Sequence, residues 1–460
     1  MGQAPHRLGN GGARRTAALV VTAAALALAV PGSSWGRTTR TPQVADTGRA
    51  CTTTDRIHGW ALRRLAWQTV IVPVAQTHVA EASREVKAGA GGVILFGSQA
   101  PTDLRSRLGR LVSSAPHGLR PIVMTDEEGG SVQRMPNLVG SMPSARYMGK
   151  HWTPHHIRRV ARSVATKMRS AHVTMDLAPV LDLDGRAGPN ARDAIGSRSF
   201  SPKVKVATKA GMAFARGMRD GGVVPVVKHF PGIGAADGNT DLRRAKTPPW
   251  RRVRTHDLLP FRSAIEAGLP AVMVGNARVP GLTKRPASIS RAVVHGVLRR
   301  DLGFRGLLIP DSLTARAVAS RFGLPHAAVT ALRVGEDMVL FNTTASRLWP
   351  TSNDVVSAIV SAVREGTLSR ARLENAVGHV LTAKSVDLCA DRWPSTATVG
   401  PLTAERATQP TSYADIAGIV GAVGIVERPG AGARSRTTRW PRQSPSTSRW
   451  ASISHGPSTW

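Results

Sequence analysis

The chain is 460 residues long and 42% hydrophobic, enough to fill one large globular domain or two to three ordinary ones. Its two cysteines, Cys51 and Cys389, have no companion at short spacing, which excludes a cysteine-based metal motif. A net charge of +33 invites a nucleic-acid reading. The arginines, however, are spread through every segment, with no aromatic-interleaved basic stripe and no zinc-finger spacing. A solvated basic surface attracted to acidic envelope polymers is the better reading, and no nucleic-acid partner is expected.

In chain order, the first fifteen residues carry Arg7, Arg14 and Arg15 and no acid, and Thr16 to Val30 is an Ala/Leu/Val run ending at Pro31. A charged region, an apolar region and the small exit at Ser34-Trp35-Gly36 predict a signal peptide over residues 1–36 and a secreted or cell-envelope location. The run falls short of the roughly 20 apolar residues that span a bilayer, so no stable membrane span is expected. Arg14-Arg15 does not separate the twin-arginine route from the general one. Cys51 lacks the preceding Leu and small residues of a lipid-attachment site. In an exported chain Cys51 and Cys389 can form one disulfide closing almost the whole mature domain, or remain two unrelated thiols.

Residues 37–68 form a lead-in with helical character. From residue 69 one theme repeats: a short apolar run, a polar or Gly-rich exit, then a longer amphipathic stretch. The runs are "TVIVPV" (69–74), "GVILFG" (92–97), "PIVMTDEEGG" (121–130), "VTMDLAPVLDLD" (173–184), "VVPVVKHFPG" (223–232), "PAVMVGNARVP" (270–280), "GLLIPDSL" (306–313) and "DMVLF" (337–341). Eight near-continuous apolar runs separated by helix-length segments predict parallel strands covered on both faces. Asp126, Asp182, Lys228-His229, Asn276, Arg278 and Asp311 all sit where a run ends. Barrel enzymes gather their chemistry there from many strands, whereas an open sheet concentrates it at one switch point. The expected fold is therefore an α/β (β/α)8 TIM-type barrel over residues 69–394, a single catalytic domain.

The glycines Gly232, Gly234 and Gly238 after the fifth run imitate a dinucleotide-binding turn. That turn needs a helix at its last glycine, and "NTDLRR" running to Pro248-Pro249 starts none. "DLD", Asp182 and Asp184, is a polar strand exit rather than a metal clamp. No metal and no cofactor are expected. After residue 395 the composition turns to Ser, Thr, Pro and Arg without helical or strand period, predicting a disordered basic tail over 395–460.

"DEEGGSVQRM" (126–135), "DAIGSRSF" (193–200), "KHFPG" after a buried run and "GFRGLLIPDSLTA" (303–315) together resemble the catalytic domain of glycoside hydrolase family 3, in its compact bacterial β-N-acetylglucosaminidase (β-N-acetylhexosaminidase) subgroup. The resemblance covers roughly residues 51 to 390. It implies a retaining glycosidase with Asp311 as nucleophile, and Asp126, Arg134, Arg198, Lys228 and His229 as the sugar-binding set for an amino-sugar glycoside. The tail is too short for the second sandwich domain of the larger relatives, which fits the one-domain subgroup, and a monomer is expected.

The residues themselves suit those roles. Sugar hydroxyls call for charged groups converging from several loops. A retaining mechanism calls for one ionised carboxylate and one proton donor. One departure is chemical. Where the subgroup carries Asp-Ser-His after "KHFPG", with the histidine as acid/base, this chain has Asn239-Thr240-Asp241. Asp241 is the candidate acid/base and Asp237 the second choice. The ordinary aspartate pKa of about 3.9, against about 6.5 for histidine, and the nearby Arg243 and Arg244 argue for an ionised Asp241. The alternatives are a sugar-binding protein that has lost turnover with the histidine, or a member with a different sugar or a phosphate acceptor. Pro310 before the nucleophile and Ile233 in "KHFPGIG" alter fit rather than chemistry.

Overall fold

The computed structural model describes residues 53–389. The expected leader, Cys51 and the 395–460 tail lie outside the described residues. All eight apolar runs form strands. The barrel strands are β1 (Val70–Ala75), β2 (Gly92–Phe96) and β3 (Ile122–Thr125), then β6 (Met175–Asp176), β7 (Val224–Phe230), β8 (Ala271–Val274), β9 (Leu307–Pro310) and β10 (Val339–Leu340). A small antiparallel pair, β4 (Glu127–Gly129) and β5 (Val132–Gln133), follows β3. The eight barrel strands are parallel in the order β10-β1-β2-β3-β6-β7-β8-β9. Between β9 and β10, Asp337 N (2.9 Å) and Met338 N (3.2 Å) donate to Leu308 O, nearly closing the ring. The fold is a (β/α)8 barrel, as expected.

The strand alternation builds two apolar layers. Ile71, Ile94, Met124, Met175, Val226, Met273 and Ile309 fill the barrel, while Val70, Val72, Val93, Leu95 and Val123 point outward beneath the helices. The outer helices are amphipathic. In Pro154–Ser170, Ile157, Ala161, Val164, Ala165 and Met168 bury one stripe. That helix starts where it does because the Thr153 side chain accepts from His156 N and Pro154 occupies the first turn. Among the described residues, no helix is long and apolar enough to cross a membrane.

The fourth run departs from its expected form. Only Met175 and Asp176 are strand, although the run is apolar to Leu183. Pro179 has no N–H to give a ladder. The chain instead climbs over the barrel rim, held by Leu181 N to Lys228 O (2.7 Å) and a bridge between Val180 and Lys228.

The lead-in forms the helices Thr53–Ile57 and Leu62–Gln68, packed on the last helix, Arg370–Ala383. Arg370 donates to Trp60 O (2.8 Å) and Lys384 Nζ to Gln68 Oε1 (2.7 Å). Cys389 is disulfide-bonded.

Asp337, fully buried just before β10, accepts from Arg299 Nη2 (2.6 Å), Arg372 Nη2 (2.9 Å) and Leu308 N (2.9 Å), with His379 Nδ1 at 3.0 Å. Burial alone would raise its pKa; the surrounding cations outweigh burial and lower it. Asp337→Ala strands two arginines in the core and should cost about 3–5 kcal/mol in urea unfolding. A cost below about 1 kcal/mol would show that barrel closure does not depend on this carboxylate.

Candidate active site

β3 ends at Thr125, and the next residues turn at once into the β4–β5 hairpin. Gly129, at φ +90°, makes that turn; a Cβ there would lie 2.5 Å from Pro143 O. Along this extended backbone Asp126 and Glu128 share one side, and Glu127 faces the other. Glu127 Oε1 accepts from Arg134 N (2.8 Å) and Met135 N (2.6 Å), pinning the hairpin's return strand. Burial pushes the Glu127 carboxyl up to about 7.

Asp126 and Glu128 meet cations from distant loops. Lys228 Nζ, at the end of β7, lies 2.6 Å from Asp126 Oδ1 and 2.7 Å from Glu128 Oε1. Arg198 grips Glu128 with both ends of its fork, Nε to Oε2 at 2.8 Å and Nη2 to Oε1 at 2.7 Å. Arg134 Nη2 stands 3.6 Å from Asp126 Oδ2. Burial would raise the Glu128 pKa, but Arg198 and Lys228 hold it well below the usual carboxylate range. Burial likewise works against the charges on Lys228 and Arg198; the facing carboxylates outweigh it and raise both. Glu128, Lys228 and Arg198 are therefore charged at neutrality.

His229 is oriented from behind. Asp182 Oδ2 accepts from His229 N (3.0 Å) and sits 2.7 Å from His229 Nδ1, while Asp182 Oδ1 accepts from Ile233 N (2.7 Å). With Nδ1–H bonded to the carboxylate, Nε2 is the nitrogen left for a ligand. The glycine-rich loop that follows serves packing. A Cβ on Gly234 would fall 2.1 Å from Leu183 O, and no helix begins until Trp250. These glycines bring the loop against the rim segment rather than around a phosphate.

Asp311 follows β9 directly. Its N–H donates to Val274 O (2.8 Å), and its Oδ1 accepts from Ser312 N (2.8 Å). The next helix starts only at Arg316, so Asp311 is not a helix cap. Asn276, at the end of β8, donates to Ser312 O (2.8 Å) and steadies the turn. The loop bearing Asp241 is tied to the same segment: Arg316 N donates to Asp241 O (3.2 Å) and Ala317 N to Thr240 O (3.0 Å). Asn239 Oδ1 accepts from Asp241 N (3.0 Å), so it orders the backbone of Asp241 rather than its carboxyl.

The electrostatics of Asp241 differ from the sequence expectation. Its pKa is raised, first by the protein packed around its carboxyl and then by the negative Asp311, against the opposing pull of His229 and Arg198. The residue as a whole is exposed at the cavity mouth. The neighbouring arginines point elsewhere. Arg243 donates to Asp237 O, and Arg244 lines a separate hollow.

Asp126, Arg134, Arg198, Lys228, His229, Asp241 and Asp311 all line one cavity of about 310 Å³, at the barrel end where the strands finish. Asp237 does not line it; it faces the hollow that holds Arg244. Glu128 was not among the sequence candidates, and Asp182 stood there as a strand exit. The i, i+2 spacing of Asp126 and Glu128 was the available signal for the first. Lys228 and Arg198 are both engaged by the Asp126 and Glu128 carboxylates.

Glu128→Ala should leave buried Arg198 without its carboxylate and Lys228 with Asp126 alone, and cost about 3–5 kcal/mol in chemical unfolding. Because the folded pKa of Glu128 is depressed, its stabilisation is present at neutrality and fades only as pH falls below the ordinary glutamate range. An unchanged unfolding midpoint would contradict the charge balance described above.

Known proteins resemble this chain in sequence and fold. The model for the glycosyl hydrolase family 3 N-terminal domain matches residues 67–383. A β-hexosaminidase of Mycobacterium tuberculosis, LpqI, is 34% identical over 388 residues, covering 80% of this chain and 97% of that protein. A solved glycosyl hydrolase of the same family from Mycobacterium smegmatis superposes with a TM-score of 0.65 at 33% identity, covering 72% of this chain and 98% of the other. A β-N-acetylhexosaminidase from Beutenbergia cavernae superposes with a TM-score of 0.64 at 26% identity, covering 71% and 99%. With its strand-end carboxylates and cations gathered in one cavity at the mouth of a (β/α)8 barrel, this chain belongs to glycosyl hydrolase family 3 and is a glycoside hydrolase.

Proposed function

We propose that the protein is an exported, retaining β-N-acetylhexosaminidase that releases terminal β-linked N-acetylglucosamine-type sugars from cell-wall fragments. The observation that carries the reading is the convergence of Asp311 and Asp241 with five sugar-binding candidates on one cavity. The kinship to β-hexosaminidases supports the sugar class, and the charged and apolar leader in the sequence supports export.

In this mechanism an Asp311 carboxylate oxygen attacks the anomeric carbon as the bond to the leaving oxygen breaks, and Asp241 delivers its proton to that oxygen. Water then attacks the glycosyl ester, giving its proton to Asp241 and freeing Asp311. Asp126, Arg134, Arg198, Lys228 and His229 hold the sugar hydroxyls. Asp126 and Lys228, already paired, offer an acceptor and a donor side by side, as adjacent hydroxyls require. A binder without turnover is the second reading, and the solvent exposure of Asp241 favours it. A panel of aryl glycosides, run with and without phosphate, tests sugar choice and acceptor. A 2-fluoro sugar should label Asp311; intact sugar binding with neither label nor hydrolysis would support the binder.

Asp311→Asn should lower kcat by at least about 10³-fold with folding and sugar binding intact. Asp126→Ala should act mainly through KM, by about 10–100-fold. Near-normal turnover of Asp311→Asn would remove it as nucleophile.

A general acid works in its protonated form, so activity falls as pH rises through its pKa. The raised pKa of Asp241 shifts that basic limb upward from the ordinary aspartate range, giving an optimum on the acid side of neutrality. Asp241→Ala should slow substrates with poor leaving groups by about 10²–10⁴-fold, spare activated aryl glycosides to within about tenfold, and erase the basic limb. Equal losses on both substrates would remove Asp241 as the acid; Asp237, outside the cavity, is no substitute for it.

A further inference from the structure

Behind the loop that carries Asp241 lies a second hollow of about 360 Å³ that shares no lining residue with the catalytic cavity. The hydrogen bonds from Arg316 N to Asp241 O and from Ala317 N to Thr240 O run between the two. Five cations face the hollow: Arg244 and Lys246 from the loop, Arg278 and Lys284 from the turn after β8, and Arg321 from the segment after Asp311. One acid, Asp237, joins them, 4.0 Å from Lys246 Nζ. Among the described residues, no carboxylate lies within ion-pair distance of Arg244, Arg278, Lys284 or Arg321, and their side chains make no hydrogen bond. At Glu128 and Asp337, by contrast, the buried cations are paired with carboxylates.

Backbone bonds tie the loop to the turn after β8, Arg278 N donating to Ala245 O (2.9 Å) and Thr247 N to Arg278 O (2.9 Å); Asp237 N donates to Lys246 O (3.0 Å) within the loop, and Arg316 N and Ala317 N tie the loop to the third wall. A group bound between the walls therefore clamps the loop against the barrel. The donors suit one chemistry. Planar guanidinium forks match the oxygens of a tetrahedral oxyanion in pairs, and the lysines add point charges. Two negative charges would relieve the mutual repulsion of four unpaired cations.

We propose that this hollow is an oxyanion site for a phosphate- or sulfate-type group, and that its occupancy holds in place the loop bearing Asp241.

The test reads the loop itself and does not require turnover. Amide exchange of residues 237–246 is followed in the full-length protein with inorganic sulfate, inorganic phosphate or linear polyphosphate, each against chloride at matched ionic strength. Sulfate and phosphate should slow exchange in that segment by about tenfold. In the variant Lys284→Gln with Arg321→Gln, two exposed positions outside the catalytic cavity, the protection should vanish while the unliganded melting temperature stays as in the parent. Protection by the free ions identifies a small-anion site; protection by polyphosphate alone assigns the same chemistry to a polymer-borne group. No protection by any of the three beyond chloride, or equal protection in the double variant, would overturn the proposal. Because no substrate is used, failure here leaves the glycosidase reading untouched, and an inactive enzyme with a protected loop would overturn only the latter.

Discussion

Two carboxylates and two cations, pressed together at the barrel mouth, govern the arrangement of everything around them. Asp126 and Glu128 leave the end of β3, Lys228 stands at the end of β7, and Arg198 arrives from the loop between them. None could be buried alone, because an isolated ion in a low-dielectric interior costs several kcal/mol. Each is admitted only because the others are there, so the hairpin, strand and loop must take up one relative placement. Such a network adds little net stability against an apolar core of similar volume. What it supplies here is geometry, with donors and acceptors presented at fixed spacing toward the cavity.

The two carboxylates proposed to react, Asp311 and Asp241, are held differently. Asp311 rides on the end of a buried strand and is bound by its own turn, a rigid mount. Asp241 sits on a long loop, exposed, with its backbone rather than its carboxyl tied down. A nucleophile must be held in aim, which a rigid mount supplies, whereas a proton donor must keep its proton. Protein packed around the Asp241 carboxyl and the negative charge of Asp311 both disfavour the ionised form. The loop's attachment to the Asp311 segment through Arg316 and Ala317 makes the two positions mechanically dependent. The histidine found at this place in the resembling subgroup needs no raised pKa to hold a proton near neutrality; an aspartate does.

The barrel closes through chemistry as well as packing. Between β9 and β10 the ladder thins to bonds at Leu308 O, and Asp337 gathers Arg299, Arg372 and His379 across that seam. The seam lies below Asp311, so the strand that carries Asp311 is fixed on one side by β8 and on the other by this cluster.

Much of the architecture was legible in order along the chain. Alternation of period 2, apolar runs of strand length and polar exits are local properties, and a residue's place at the end of a run survives folding unchanged. Eight runs therefore announced eight strands, and Asp126, Lys228, His229 and Asp311 announced a site at one end of them. Pro179 ended the fourth strand early for a reason also visible in the residues. Partnership was not legible. Lys228 meets Asp126 across 102 positions and Arg198 meets Glu128 across 70, and no local pattern chooses Asp126 rather than Asp311 as the partner of a lysine. The same holds for the arginines beside Asp241, which by proximity in sequence should have kept it ionised and in the folded chain face away from it. Sequence by itself determined which chemical groups stand at the barrel mouth, because strand ends are set by neighbours along the chain. Only the tertiary structure decided which charges neutralise which, because pairing energy depends on distances through space that close when the ring of strands does.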